Sequence, residues 1–275
     1  MLKILSWNIA HRTKPWRELL ASNADVALLQ EAKPPPPDIA DKVGVDRAPW
    51  KIEAKGFNCP WRAAVVSLSK RVKVDFIDAL PLAEAPGRSL GVSRPGTLAA
   101  ADITDPDTHE QFTLVSLYGF WESPRSKAKR AWIYADASVH RLISDLSVFI
   151  ASETKHRIIA AGDLNILHGY GEKGNEYWAK RYATVFDRMS ALGLEFVGPQ
   201  YPNGSKAKPR PAELPAESAN VPTYHTARQG PAGATRQLDF VFASRELAPR
   251  VSVCALNRPE EWGPSDHCRI AIDVR

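Results

Sequence analysis

Short apolar runs, rich in β-branched residues, recur along this chain, and several carry a carboxylate or an amide in or just beyond the run. Eleven are legible, at residues 2–9, 26–29, 63–68, 72–77, 97–103, 112–118, 157–161, 195–197, 238–243, 251–255 and 269–274. Turn residues separate them, which is the pattern of strands. Only two long stretches carry a helical period. Residues 126–154 place Trp132, Ile133, Ala135, Val139, Leu142, Ile143, Leu146 and Phe149 close to a 3.6 spacing. Residues 177–192 end at Gly193, where helices often stop. A shorter helix at 15–22 links the first two strands. Many strands with few, widely spaced helices argue against a regular doubly wound sheet and for two packed sheets with helices outside.

Composition sets the scale. The chain has 275 residues, 44% hydrophobic and 24% charged, enough to bury a sizeable core. Disorder, a collagen-like fibre and a disulfide miniprotein are excluded. We expect one domain over 1–275. Residues 34–37 form a stiff four-proline run. Residues 198–222 form a long Pro-rich loop, read as an insertion because strands resume after it. No apolar run approaches the roughly 18–20 residues of a membrane span, and the first residues do not read as a secretory signal. Cys59, Cys254 and Cys268 are far apart and odd in number, which fits reduced thiols and a cytoplasmic location. The net charge of +5 permits a polyanionic partner without requiring one.

The polar residues at the strand ends are more informative. Asn8 sits in ILSWNIA, and Glu31 follows an apolar run in ADVALLQEAK. Asp163 and Asn165 end the run RIIAAGDLNI, two apart and so on one side of an extended chain. Asp239 lies inside the apolar run RQLDFVFAS, where a buried carboxylate needs a cation or several donors. Asp266 and His267 precede the closing strand. Side chains so placed can converge at one rim of a sandwich. Their oxygen atoms favour Mg²⁺ or Mn²⁺, and no cysteine or histidine pair has zinc spacing.

The ordered set SWN, LQE, LYG, GDLN, LDFVFAS and SDH resembles the endonuclease/exonuclease/phosphatase superfamily, with its deoxyribonuclease-like and exonuclease III-like members. The motifs run from Asn8 to His267. The resemblance implies an α/β (α+β) fold, a four-layer αββα sandwich of two mixed β-sheets flanked by helices. It also implies a Mg²⁺- or Mn²⁺-dependent phosphodiester hydrolase. Glu31 would be the principal metal ligand, with Asn8 and Asp266. Asp163 would deprotonate the attacking water, and Asn165 would hydrogen-bond the water or the phosphate. His267, held by Asp239, would donate to a non-bridging phosphate oxygen, and Tyr118 would contact the phosphate or the leaving group.

The chain departs from abasic-site endonucleases in three places. Ala10, followed by His11, stands where those enzymes have an acid. Trp121 replaces an asparagine, and Arg236 stands where they often carry tryptophan. The inositol phosphatase run around Asp239 is also absent. We therefore expect a nuclease acting on DNA or RNA. The alternatives are a phosphatase or phosphodiesterase on a small or lipid phosphoester, or a non-catalytic phosphate-binding module. Trp121, Arg125, Lys127 and Lys129 follow Tyr118 in a stretch that mixes cations with aromatics, suited to phosphate contact and base stacking. His168, His225 and Arg236 are further candidates for the substrate rim.

Overall fold

The period of two in the strand runs sends alternate side chains to opposite faces, and both faces are covered. In β1 (Leu2–Asn8) Leu2 and Ile4 enter one core, while Leu5 and Trp7 enter another on the far side of the same strand. The structure, a computed structural model, describes residues 1–54, 57–86, 89–121, 135–150 and 156–275. Within these, β1 is followed by α1 (Lys14–Ala21), β2 (Val26–Ala32), α2 (Pro37–Ala40), β3 (Gly44–Val45), β4 (Ile52–Ala54), β5 (Phe57–Cys59), β6 (Arg62–Ser67), β7 (Lys73–Ile77), β8 (Ala79–Pro81), β9 (Leu90–Val92), β10 (Leu98–Thr104) and β11 (Gln111–Tyr118). Then come α3 (Ala135–Leu146), β12 (Ile158–Asp163), α4 (Glu176–Ala191), β13 (Leu194–Gly198), β14 (Asp239–Ser244), β15 (Val251–Leu256) and β16 (Arg269–Val274).

Two six-stranded sheets result, ordered β15-β16-β1-β2-β6-β3 and β13-β14-β12-β11-β10-β7. Both are mixed: β1 and β2 are parallel in the first, β11 and β12 in the second, and their other pairings are antiparallel. Leu2, Ile4, Val26, Leu28, Val65, Ile159, Val241 and Ile270 fill the space between the sheets. Trp16 and Leu19 of α1 cover the outer face of the first sheet over Leu5, Trp7 and Leu29. Val139, Leu142 and Ile143 of α3, with Val185 and Met189 of α4, cover the second over Val115, Ala160, Phe240 and Phe242. The layers are therefore helix, sheet, sheet, helix, as the resemblance implies.

All eleven expected strands are present, with ends shifted by a few residues at most. The expected helix at 126–154 is shorter in its described part. It runs from Ala135 to Leu146, tightens through Ser147–Phe149 and leaves helical geometry at Ile150, with Val148 exposed. Residues 126–134 and 151–155 lie outside the described residues. The four-proline run is extended only to Pro36, and Pro37 opens α2, because its fixed φ suits a first helical turn. Of the loop expected at 198–222, Gly198 ends β13, and 199–222 carry no helix or strand but are anchored. Asn257 donates to the carbonyls of Ser205 and Pro222, each at 2.9 Å, and Gln237 donates to that of Pro199 at 2.8 Å. Among the described residues no helix is long and apolar enough to cross a membrane.

Candidate active site

Strand direction assembles the site. The C-terminal ends of parallel β1 and β2, and of parallel β11 and β12, lie at one rim, where antiparallel β14 and β16 begin. Register completes the arrangement: Asn8 pairs with Gln30, Tyr118 with Asp163, and Asp163 with Asp239. His267 enters two residues before β16.

Glu31 is aimed by a bulge. The pairing of β2 with β6 slips between Leu29 and Ala32, and Glu31 takes φ +50° inside the slip. Bulges re-aim side chains in this way. Gln30 points the other way and is fully buried. Its amide donates to the Ser116 hydroxyl at 3.0 Å, and that hydroxyl donates to the Leu29 carbonyl at 2.7 Å. These bonds tie β2 of one sheet to β11 of the other just beneath the rim.

Two clusters face each other there. In the first, the Tyr118 hydroxyl donates to Glu31 Oε1 at 2.8 Å, and His11 Nε2 lies 2.8 Å from Glu31 Oε2. Burial pushes the Glu31 carboxyl up, but His11 and Tyr118, with the charge of His267, outweigh it and hold the group below its ordinary value. Tyr118 is pushed far above the ordinary phenol, first by burial and then by Glu31 and Asp163, so it stays a donor. The His11 ring stacks on Trp61 with centroids 5.2 Å apart, and Trp61 stacks on Phe120 at 5.7 Å.

The second cluster is buried. Asp163 accepts from Asn8 Nδ2 at 2.9 Å, from the Asn165 backbone N–H at 2.9 Å and from Asn165 Nδ2 at 3.1 Å. Asn165 reaches these positions through a left-handed backbone, φ +51°, which asparagine tolerates better than most residues. Asp239 Oδ2 accepts from His267 Nδ1 at 2.8 Å, while His267 Nε2 stands 3.7 Å from Asp163 Oδ2, too far for a hydrogen bond. Asp239 Oδ1 is buried without a hydrogen-bond partner, which leaves His267 as the group that answers its charge. Burial works against protonating His267, but the carboxylates of Asp239 and Asp163 win and raise it to about 10. Asp163 is raised to about 7 by burial, with Asp239 and Glu31 adding to the rise and His267 and Asn8 opposing it.

Asp163, Asp239 and His267 each present a metal-capable atom within 4.8 Å of the others. A proton suits that place better than a metal, because a charged imidazole already spans the two carboxylates. The Glu31 side fits a divalent cation. Its carboxylate is held ionised, and beside it His11 Nε2 is shielded from water and lacks an aligned hydrogen bond. Asn8 Oδ1 accepts from the Ala10 backbone N–H at 2.9 Å and keeps a second lone pair. Asp266 is half-buried, accepts weakly from the Ser265 hydroxyl at 3.4 Å and lies outside the three-residue group.

The substrate candidates separate. Trp121 is 41% exposed and, with Asn165, Tyr224, Arg228 and Arg236, lines a cleft of about 870 Å³. Arg236 spends its guanidinium on Glu172, at 3.2 and 2.9 Å. His225 lies over Trp262 at 5.2 Å and contacts the Thr226 carbonyl. His168 packs half-buried among Phe186, Phe196 and Phe240, and its Nδ1 meets Asn220 Oδ1 at 3.2 Å. Burial lowers its pKa accordingly. Arg125, Lys127 and Lys129 lie outside the described residues.

Sequence reasoning noted His11 only as a departure and missed Trp61, Thr223 and Tyr224. Thr223 Oγ1 accepts from the backbone N–H groups of Leu238 and Asp239 at 2.9 and 3.1 Å, fixing the start of β14. Tyr224 lies 5.0 Å from the His267 ring. Their signal was the segment PTYH ahead of β14; a histidine three residues after Asn8 was the signal for His11.

Comparison with known proteins gives a consistent assignment. A model described as "Endonuclease/Exonuclease/phosphatase family" matches residues 5–267. No curated protein sequence matches. Solved structures do. The endonuclease domain of TRAS1, a telomere-specific non-LTR retrotransposon, superposes with a TM-score of 0.62 at 16% identity, covering 100% of this chain and 99% of that one. The AP endonuclease LMAP from Leishmania major gives 0.63 at 17%, covering 100% and 87%. A 3'-5' exonuclease from Neisseria meningitidis gives 0.58 at 18%, covering 99% of each. At such identities the likeness speaks for the fold.

Proposed function

Since the chain belongs to the endonuclease/exonuclease/phosphatase family, we propose that it is a phosphodiester hydrolase dependent on Mg²⁺ or Mn²⁺, acting on DNA or RNA. The observation that carries this reading is the His267 imidazole, bonded to Asp239 on one side and standing 3.7 Å from Asp163 on the other, across the rim from Glu31 and Tyr118.

Each side chain has work that a phosphodiester requires. Asp163, raised toward neutrality by burial, is matched to taking a proton from water near pH 7. Asn8 and Asn165 fix its carboxylate so that a remaining lone pair faces the rim. His267 presents an N–H that Asp163 does not use, aimed where a non-bridging phosphate oxygen would lie. Asp239 orients that ring and keeps it charged. Tyr118, a permanent donor, holds Glu31 and borders the same space. Glu31 and Asn8 would hold the cation, whose chemistry when bound is to neutralise charge developing on the phosphate. TRAS1 and the Leishmania and Neisseria proteins are named for nuclease activities, which supports a nucleic acid as substrate.

The test is a panel of linear duplex DNA, single-stranded DNA, single-stranded RNA, an abasic duplex and a small bis-phosphodiester, each with Mg²⁺ and with Mn²⁺. Cleavage of a polynucleotide is expected, abolished by EDTA and lowered about 10²–10⁴-fold by Asp163→Asn. Cleavage of the small ester alone would move the protein to the phosphatase reading. No turnover of any ester by a metal-loaded protein would make it a binding module.

A further inference from the structure

Beside Glu31 the chain places a nitrogen. The His11 ring is 39% exposed, yet its Nε2 is itself out of contact with water. That atom lies 2.8 Å from Glu31 Oε2 without forming an aligned hydrogen bond. A ring nitrogen and a carboxylate oxygen brought that close call for a positive charge between them, either a proton on the ring or a metal ion at which both atoms point. The separation matches the edge between neighbouring ligands of one ion, roughly 3 Å for bonds of about 2.1 Å.

The backbone holds this arrangement at a cost. Ala10 and His11 both adopt left-handed conformations, φ +48° and +59°, as does Glu31 across from them at +50°. Non-glycine residues keep such angles where the surroundings fix them, and such sites cluster at function. The fixing contacts are visible. The Ala10 N–H donates to Asn8 Oδ1 at 2.9 Å, the His11 N–H donates to the Glu31 carbonyl at 3.0 Å, and Trp61 stacks on the imidazole. None of these contacts uses Nε2.

We propose that His11 Nε2 is a direct ligand, together with Glu31 Oε2, of the divalent ion this site takes, and that the nitrogen makes the site prefer Mn²⁺ to Mg²⁺. Imidazole suits first-row transition ions, whereas Mg²⁺ keeps to carboxylate, carbonyl and water oxygen. The inference rests on the metal-dependent reading above and adds the residue and the selectivity.

The experiment uses the full chain and no substrate. Mn²⁺ and Mg²⁺ are titrated calorimetrically into the wild type, His11→Gln, His11→Asn and Glu31→Gln, and the Mn²⁺ complexes are examined by pulsed EPR for coupling to nitrogen-14. Thermal melts confirm that each variant is folded. The wild type should show nitrogen coupling that disappears in both His11 variants, with the ratio of Mn²⁺ to Mg²⁺ affinity falling at least tenfold. Mn²⁺ bound through Glu31 without nitrogen coupling in the wild type overturns the role of His11 and leaves the metal reading standing. An equal fall of both affinities in the His11 variants overturns that role in the same way. The wild-type spectrum decides alone should neither variant fold. Absence of metal binding, or binding untouched by Glu31→Gln, overturns the metal reading and the inference together.

Discussion

At the scale of residues, the buried His267 imidazole is held protonated between two carboxylates. His267 is raised to about 10 because two carboxylates outweigh the burial that opposes its charge. In the unfolded chain the same group titrates near about 6.5. A folded value above the unfolded one stabilises the fold fully below the unfolded value, and that stability is lost as pH rises through the folded value. The wild type should therefore exceed His267→Gln most in urea midpoint near pH 6, and the gap should narrow as pH approaches 10. A gap constant from pH 6 to 10.5 would show that packing, not the proton, sets the difference. Asn8, Glu31, Asp163, Asn165, Asp239 and His267 stood out in the sequence only as an ordered set, since each alone has an ordinary structural explanation. The surroundings of His168 were not legible, because a lone histidine after a strand gives no sign of whether aromatics surround it. Here Phe186, Phe196 and Phe240 do, from elements far apart in sequence.

At the scale of elements, the β11–β12 ladder sets the spacing across the rim. Tyr118 pairs with Asp163, one residue beyond the pairing of Leu117 with Gly162. A Cβ at Gly162 would sit 1.8 Å from the Leu117 carbonyl oxygen, which is backbone and cannot turn aside. Gly162→Ala must then part the two strands where they carry Tyr118 and Asp163. We expect a loss of about 1–3 kcal/mol in chemical denaturation, typical of overpacking, together with a fall in turnover on any substrate the wild type cleaves. An alanine variant with wild-type stability and rate would contradict the close approach. The strands themselves were readable as short apolar, β-branched runs set off by turn residues. The pairs β4–β5 and β8–β9 were not, because three residues are too few to show a period. The bulge at Glu31 was equally invisible, since it arises from pairing with β6.

At the scale of the whole molecule, the charge of +5 becomes useful only where cations border the site. Arg228 is exposed in the cleft shared by Asn165, Tyr224 and Trp121. If nucleic acid crosses that cleft, each phosphate contact releases a counterion. Binding of Asp163→Asn to duplex DNA should weaken linearly with log salt. Adding Arg228→Ala should flatten the slope by about 0.9, with little sequence dependence. An unchanged slope would move the track elsewhere on the surface.

The clusters are divided between the sheets: Asn8, His11, Glu31 and His267 belong to the first, and Tyr118, Asp163 and Asp239 to the second. His267 precedes β16, which lies between β1 and β15 and is the latest of these strands to leave the ribosome. A growing chain can thus carry every other member of the constellation and still be inert. Its first sheet stays open until β16 slots between β15 and β1. Under the proposed reading, a site that would cleave nucleic acid becomes complete only when that gap closes.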